Sequence, residues 1–183
     1  MQILGIVGSL RKDSFNKFAL TALLDFLPKD VNLKIKELKD IPLLDLEISY
    51  ENFPKSVKNL EEDVRQADAL IIATPEYNYS IPGILKNSID WLSIIKDQPF
   101  QGKPCAILGA SPGRLRTARA QYHLRQIGVF LNLHFLNKPE VMISEAHNKF
   151  DKNGVLIDEQ TKKHLKLMLE TLIEFSKQKN KNQ

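Results

Sequence analysis

Short apolar runs and helically spaced apolar positions alternate along this chain from one end to the other. Ile3 to Val7 is a run of strand length, and Phe15, Phe18, Ala19, Ala22, Leu23 and Phe26 then recur at helical spacing before Pro28. Leu33 to Leu38 predicts a second strand. Ile41 to Phe53, with Pro42 and mixed polarity, reads as a connecting loop, after which Pro54 opens a helix through Val57, Leu60 and Val64 toward Gln66. Ala69 to Ala73 is a third strand. Ile81, Leu85, Ser88, Leu92 and Ile95 share one helical face, with Pro82 in the first turn and Ser80 as its expected cap. A fourth strand is expected at Cys105 to Leu108, a helix from about Arg116 to Leu131, a fifth strand near Val141 to Ile143, and a last helix through Leu165, Leu169 and Leu172.

Strand and helix thus alternate five times, and the strands are near-continuously apolar, as a sheet covered on both faces requires. The pattern predicts an α/β fold, a flavodoxin-like doubly wound parallel sheet of five strands in the order 2-1-3-4-5, as a single domain over residues 1–176. In such a sheet the ligand crevice lies beyond the carboxyl ends of strands one, three and four. Three loops should carry the function.

Composition narrows the class. At 183 residues the chain can bury roughly 70% of its unfolded surface in one core, without disulfides or metal. Cys105, the single cysteine, sits in an apolar run and reads as an inert buried thiol, which fits a reducing, cytoplasmic compartment. No apolar run reaches membrane length, so no membrane insertion is expected. Of the net charge of +4, three charges belong to Lys177, Lys179 and Lys181 in the final SKQKNKNQ, leaving +1 for the body. Residues 177–183 read as a solvated, disordered basic end rather than a nucleic-acid surface. The histidines His123, His134, His147 and His164 lack metal-ligand spacing, so no metal site is expected.

The first loop, Gly8 to Asn16, reads GSLRKDSFN. It contains neither G-x-G-x-x-G nor a G-K-[ST] element, so both common phosphate motifs are absent. Yet Ser9, Arg11, Ser14 and Asn16 can offer hydroxyl, guanidinium and amide donors where a helix presents unpaired N–H groups, a setting that favours a phosphate dianion. A bland alternative has Ser14 merely capping the helix while Arg11 and Lys12 face solvent. The second loop, Thr74 to Trp91, reads TPEYNYSIPGILKNSIDW, and the third runs Gly109, Ala110, Ser111, Pro112, Gly113, Arg114, Leu115, Arg116.

Together, GSLRKDSFN and TPEYNYSIPGILKNSIDW resemble the NADPH-dependent FMN reductase family, which includes bacterial chromate and quinone reductases and azoreductases of that type. The resemblance runs from the first strand to the last helix. It implies non-covalently bound FMN, held at the phosphate by Ser9, Arg11, Ser14 and Asn16, with Phe15 helping to seat it. Pro75, Glu76, Tyr77 and Asn78 would line the ring, Glu76 through its backbone, and Ser111 and Gly113 would border it from the third loop. Family members often carry small residues where Arg114 to Arg116 stand here. Those arginines, with Arg119 and Arg125, read either as a grip on the 2′-phosphate of NADPH or as a solvated or subunit-bridging face. Trp91 is open between core packing and a subunit interface.

The implied activity is an oxidoreductase, with NADPH or NADH as hydride donor and quinones, azo compounds, free flavin or metal oxyanions as acceptors. No side chain need be catalytic, because the chemistry belongs to the flavin. A homodimer or homotetramer is implied. The alternatives are a flavodoxin-like electron carrier with protein partners and, more remotely, a flavin-free NAD(P)H-binding regulator.

Overall fold

The computed structural model describes residues 1–180. Its elements, in chain order, are β1 (Gln2–Val7), α1 (Phe15–Ala22), β2 (Asn32–Glu37), α2 (Lys55–Gln66), β3 (Ala69–Ala73), α3 (Gly83–Ser93), β4 (Pro104–Ala110), α4 (Ala118–Phe130), β5 (His134–Phe135), β6 (Val141–Ile143) and α5 (Glu159–Asn180). The strands are parallel and ordered β2-β1-β3-β4-β5, with β6 also paired to β4. This is the doubly wound, flavodoxin-like arrangement that the apolar runs predict.

Both faces of the sheet are covered. Ile3, Val7, Ile71 and Leu108 pack with Leu20, Met168 and Leu169 of α1 and α5 on one side. Leu4, Ile6, Ile72 and Ile107 pack with Leu60, Leu85 and Leu124 of α2, α3 and α4 on the other. Side chains alternate between faces along each strand, so burial on both faces demands the continuous apolar runs seen in the sequence.

The register positions the loops. Val7 pairs with Ala73, Ala73 with Leu108, and Ala110 with Ile143, so β1, β3 and β4 end side by side. The ladder extends one step beyond them: the N–H groups of Gly8, Thr74 and Ser111 donate to the carbonyls of Ala73, Leu108 and Ile143 at 2.8, 3.0 and 2.9 Å. The three functional loops therefore leave the sheet as neighbours.

Four features depart from the expectations. The fifth position of the sheet is split, because Leu136 to Glu140 interrupt it and Pro139 has no N–H to give a ladder. The helix after the third loop begins at Ala118, since Arg116 has φ +63° and cannot be helical. Pro82, not Ser80, occupies the N-cap of α3, while Ser80 Oγ pairs with His123 Nδ1 at 2.8 Å. Lys177 to Asn180 continue α5 instead of forming a disordered end, and residues 181–183 lie outside the described residues.

The open question at Trp91 is resolved for this chain. Its indole is fully buried, edge-on to Phe53 at 4.9 Å, and its Nε1–H donates to the Pro42 carbonyl at 2.9 Å. Asn87, one turn earlier, donates to the same carbonyl and accepts from the Leu44 N–H. The pair anchors the long connection after β2 to α3. Among the described residues, no helix is long and apolar enough to cross a membrane.

Candidate active site

The first loop begins with a close approach. A Cβ on Gly8 would stand 3.0 Å from the Ala73 carbonyl oxygen and 3.1 Å from Leu85, so glycine gives β1 room to turn out beside β3. Ser9 and Ser14 are both buried. Ser9 Oγ accepts the Arg11 N–H at 3.3 Å, drawing the loop into a small turn. Ser14 is the N-cap residue of α1 by position, but its hydroxyl makes no capping bond. The N–H groups of the first turn of α1 have no intrahelical partner, and Ser14, Phe15 and Asn16 line the cleft beside them. The capping alternative for Ser14 is thus not what the geometry adopts.

Asn16 has a structural part beside the one the resemblance implies. Its side-chain amide donates to the Ala110 carbonyl at 3.0 Å, and its oxygen accepts the Ala110 N–H at 2.9 Å. One amide N–H and the amide oxygen are thereby bonded to β4. Asn16 borders the cleft as a strut between the first and third loops, while Arg11, Ser9 and Ser14 are left to meet an anion. Phe15 stacks on Phe150 at 5.8 Å with the rings 27° apart, which fixes the wall behind the loop.

In the second loop Tyr77 and Ser80 exchange backbone bonds of 2.9 and 3.0 Å around Asn78 (φ +48°) and Tyr79 (φ +70°). Two successive residues with positive φ make this a tight primed turn. Asparagine tolerates that region, and the Tyr79 ring is held under the Arg119 guanidinium at 3.7 Å from its centroid. The side chain of Glu76 is buried, and here the structure adds a role. Its carboxylate accepts the backbone N–H groups of Arg119 and Ala120 at 3.1 and 3.2 Å and binds the Arg119 guanidinium. Thr117, the N-cap residue of α4, makes no side-chain capping bond; Glu76 caps this helix from another loop.

The third loop is tied down at its start. Ser111 Oγ accepts the Gly113 N–H at 3.1 Å, and the Ser111 carbonyl accepts the Ala146 N–H at 3.1 Å. The arginines divide by position. Arg119 is bound to Glu76, and Arg125 donates to the Leu136 carbonyl at 3.0 Å and lies over Phe135. Arg114 is almost fully exposed, 3.8 Å from Glu145, and Arg116 is exposed.

These loops enclose a cleft of about 230 Å³ at the carboxyl end of the sheet, lined by Ser9, Arg11, Ser14, Phe15, Asn16, Pro75, Glu76, Tyr77 and Ser111, together with Ala110 and Pro112. Asn78 and Gly113 stand off the lining. Ala110 and Pro112 join it because the Asn16 strut and the turn at Ser111 bring that backbone forward. A larger hollow of about 410 Å³ lies at the opposite end of the strands, beside Arg65, Gln98 and Lys103. Its cations are spent: Lys103 donates to the carbonyls of Arg65 and Ala67, and Arg65 to those of Lys96 and Asp97. Cys105 is fully buried in β4, and burial pushes its thiol well above the ordinary range, so it supplies no nucleophile.

The cleft thus pairs an anion cradle at a helix N-terminus with a flat wall of proline and tyrosine. The model of the NADPH-dependent FMN reductase family matches residues 1–148. The chain belongs to this family. It is 50% identical over 172 residues to an NAD(P)H-dependent FMN reductase of Pseudomonas aeruginosa, covering 94% of this chain and 93% of that one. It is 46% identical over 178 residues to a quinone reductase of Escherichia coli, covering 96% and 95%. In structure it is similar to the flavoenzyme NAD(P)H:acceptor oxidoreductase FerB of Paracoccus denitrificans, with a TM-score of 0.88, 30% identity and 97% of each chain covered. The protein is accordingly an oxidoreductase of the FMN reductase family that uses FMN and NAD(P)H. The residues of the cleft fit the cofactor: the Ser14 hydroxyl, the Arg11 guanidinium and the unpaired N–H groups of α1 suit a phosphate, and Pro75 to Tyr77 a planar ring.

Proposed function

We propose that this reductase transfers a hydride from NAD(P)H, by way of non-covalently held FMN, to a quinone. The observation that carries the reading is the joining of an uncommitted anion cradle to the Pro75–Tyr77 wall in one open cleft. FMN, when bound, supplies the redox chemistry, accepting the hydride and returning an electron pair to the acceptor.

The protein's own part is binding and orientation. Arg11, Ser9 and Ser14 hold the phosphate end, with the N-terminus of α1 adding its dipole. Within Pro75 to Asn78 the backbone N–H groups of Glu76 and Asn78 are available to the polar edge of the ring, that of Tyr77 being bonded to the Ser80 carbonyl, and the Tyr77 ring gives a flat support. The open side of the cleft admits donor and acceptor in turn, so proximity and alignment supply most of the rate. Quinone is favoured as acceptor by the named relatives. Azo compounds, free flavin and metal oxyanions are further acceptors to which an open face gives access.

A homo-oligomer is part of the same reading, since Tyr122, Val129 and Phe130 leave apolar surface exposed along α4. Light scattering should return a dimer or tetramer; a fully active monomer would remove that element. A cytoplasmic setting is in keeping with the lone buried thiol. The activity itself is tested by steady-state rates with NADPH and a benzoquinone. One shared face predicts parallel double-reciprocal lines and release of hydroquinone. Intersecting lines with a persistent flavin radical would favour the one-electron carrier.

A further inference from the structure

Glu76 is the charged residue of the cleft whose side chain is bound to another element. Its carboxyl group is buried against the start of α4, where it meets the N–H groups of the second and third residues of that helix and the guanidinium of Arg119. Arg119 in turn covers the Tyr79 ring, at a residue whose positive φ is unfavourable for tyrosine. One carboxylate therefore compensates two positive charges, the guanidinium and the dipole end of α4, at the wall of a site for a redox group. A second tie, Ser80 Oγ to His123 Nδ1, closes the far end of the same turn on α4.

We infer that Glu76 is a positioning residue: by clamping the Pro75–Ser80 turn to α4 and balancing the Arg119 charge, it sets both the placement of the flavin-facing backbone and the electrostatic potential at the ring. The inference rests on the flavin reading of the cleft. It also explains why a carboxylate is suited here although no proton transfer is asked of it. A glutamine at this position keeps the shape but turns an NH2 group toward donors that all require an acceptor. One carboxylate oxygen takes both helix N–H groups and the other takes the guanidinium, so the single amide oxygen can keep only one of the two sets and the other meets NH2.

The charge balance gives a test with opposite signs. Reduction adds negative charge to a bound flavin, so a neighbouring uncompensated cation favours the reduced state and an uncompensated anion opposes it. Glu76→Gln should therefore raise the midpoint potential of the holoenzyme, Arg119→Gln should lower it, and the double variant should lie between them. Titration of each apoprotein with FMN should show at least about tenfold weaker binding for Glu76→Gln, from the lost charge-assisted bonds. Amide hydrogen exchange at Tyr77 to Ser80 should quicken. Glu76→Asp, too short to reach both N–H groups and the guanidinium, should recover the potential but not the full affinity.

Should Glu76→Gln fail to fold, Arg119→Gln and Arg119→Lys carry the test, because the lysine keeps the charge while losing the stacked plane over Tyr79. Potential shifts of the same sign in both charge-removing variants, or no shift in either, would overturn the inference. A parent protein that takes up no FMN would instead remove the flavin reading beneath it.

Discussion

Asn16 and Ala110, 94 positions apart in the chain, form a closed pair in which each donates to and accepts from the other, at 3.0 and 2.9 Å. The pair fastens the first helical turn of α1 to the last residue of β4, so the phosphate end of the cleft and its third wall are one rigid piece. Asn16→Ala would leave a buried N–H and a buried carbonyl of Ala110 without partners. A loss of about 2–4 kcal/mol is expected in denaturant unfolding, as two such groups require. A change in FMN affinity with stability intact would show that Asn16 meets the phosphate rather than the backbone.

Arg11 is the contrasting case. Its guanidinium lines the cleft and, among the described residues, makes no ion pair. Arg11→Ala should leave the unfolding midpoint unchanged and weaken FMN by roughly 10- to 150-fold, the worth of one charge-assisted bond of about 1.5–3 kcal/mol. Equal affinity in the two proteins would make Arg11 a surface charge only.

Gly109, near the end of β4, is closely flanked by Thr117 and the Thr74 carbonyl. A Cβ there would lie 2.0 Å from Thr117 Oγ1 and 2.7 Å from the Thr74 carbonyl oxygen, and the latter is backbone that cannot yield cheaply. Gly109→Ala should cost about 1–3 kcal/mol of stability and push the second and third loops apart, lowering FMN affinity as well. Calorimetry and a flavin titration on the same sample measure both.

Much of this was legible from the residues because the central strands are buried on both faces, and Ile3 to Val7, Ala69 to Ala73 and Cys105 to Leu108 can hardly be read otherwise. The strand order brings three loops together, and the family resemblance of their motifs groups Ser9, Arg11, Ser14, Pro75 and Tyr77 within them. The side-chain partners were not legible. Glu76 caps a helix that starts 42 positions later, and no local pattern announces a cap supplied from another loop. The bond of Asn16 to Ala110 has no local signal because its partner is a backbone group whose position depends on the sheet register. Two-residue β5 spans a single period of strand alternation and so shows no repeat, and the primed turn at Asn78 and Tyr79 lacks the glycine that usually signals one, which leaves Ser80 reading as a helix cap.

The start of α5 offers a pH test independent of the cofactor. Asp158 caps α5, its carboxylate accepting the Thr161 N–H at 2.9 Å and the Thr161 hydroxyl. The bond from the Thr161 side chain, with help from Lys149, holds its carboxyl below the usual aspartate range despite some desolvation. A carboxyl depressed in the folded state stabilises above its unfolded value near pH 4 and loses that contribution as pH falls through the folded value. Asp158→Ala should therefore cost about 1 kcal/mol at neutral pH, and the gap between the two proteins should narrow in acid below about pH 4. A gap that is constant from neutral pH into acid would contradict the capping role.

The central claim is that the cleft at the ends of β1, β3 and β4 holds FMN for reduction by NAD(P)H. The most direct measurement is an absorbance spectrum of the protein after incubation with FMN and removal of the excess, followed in the same anaerobic cuvette by NADPH and then by a quinone. The account predicts a yellow protein with one FMN per chain, bleached by NADPH, recoloured by quinone, and giving up free FMN on acid precipitation. A protein that stays colourless, or that keeps its flavin oxidised in the presence of NADPH and NADH alike, would contradict it.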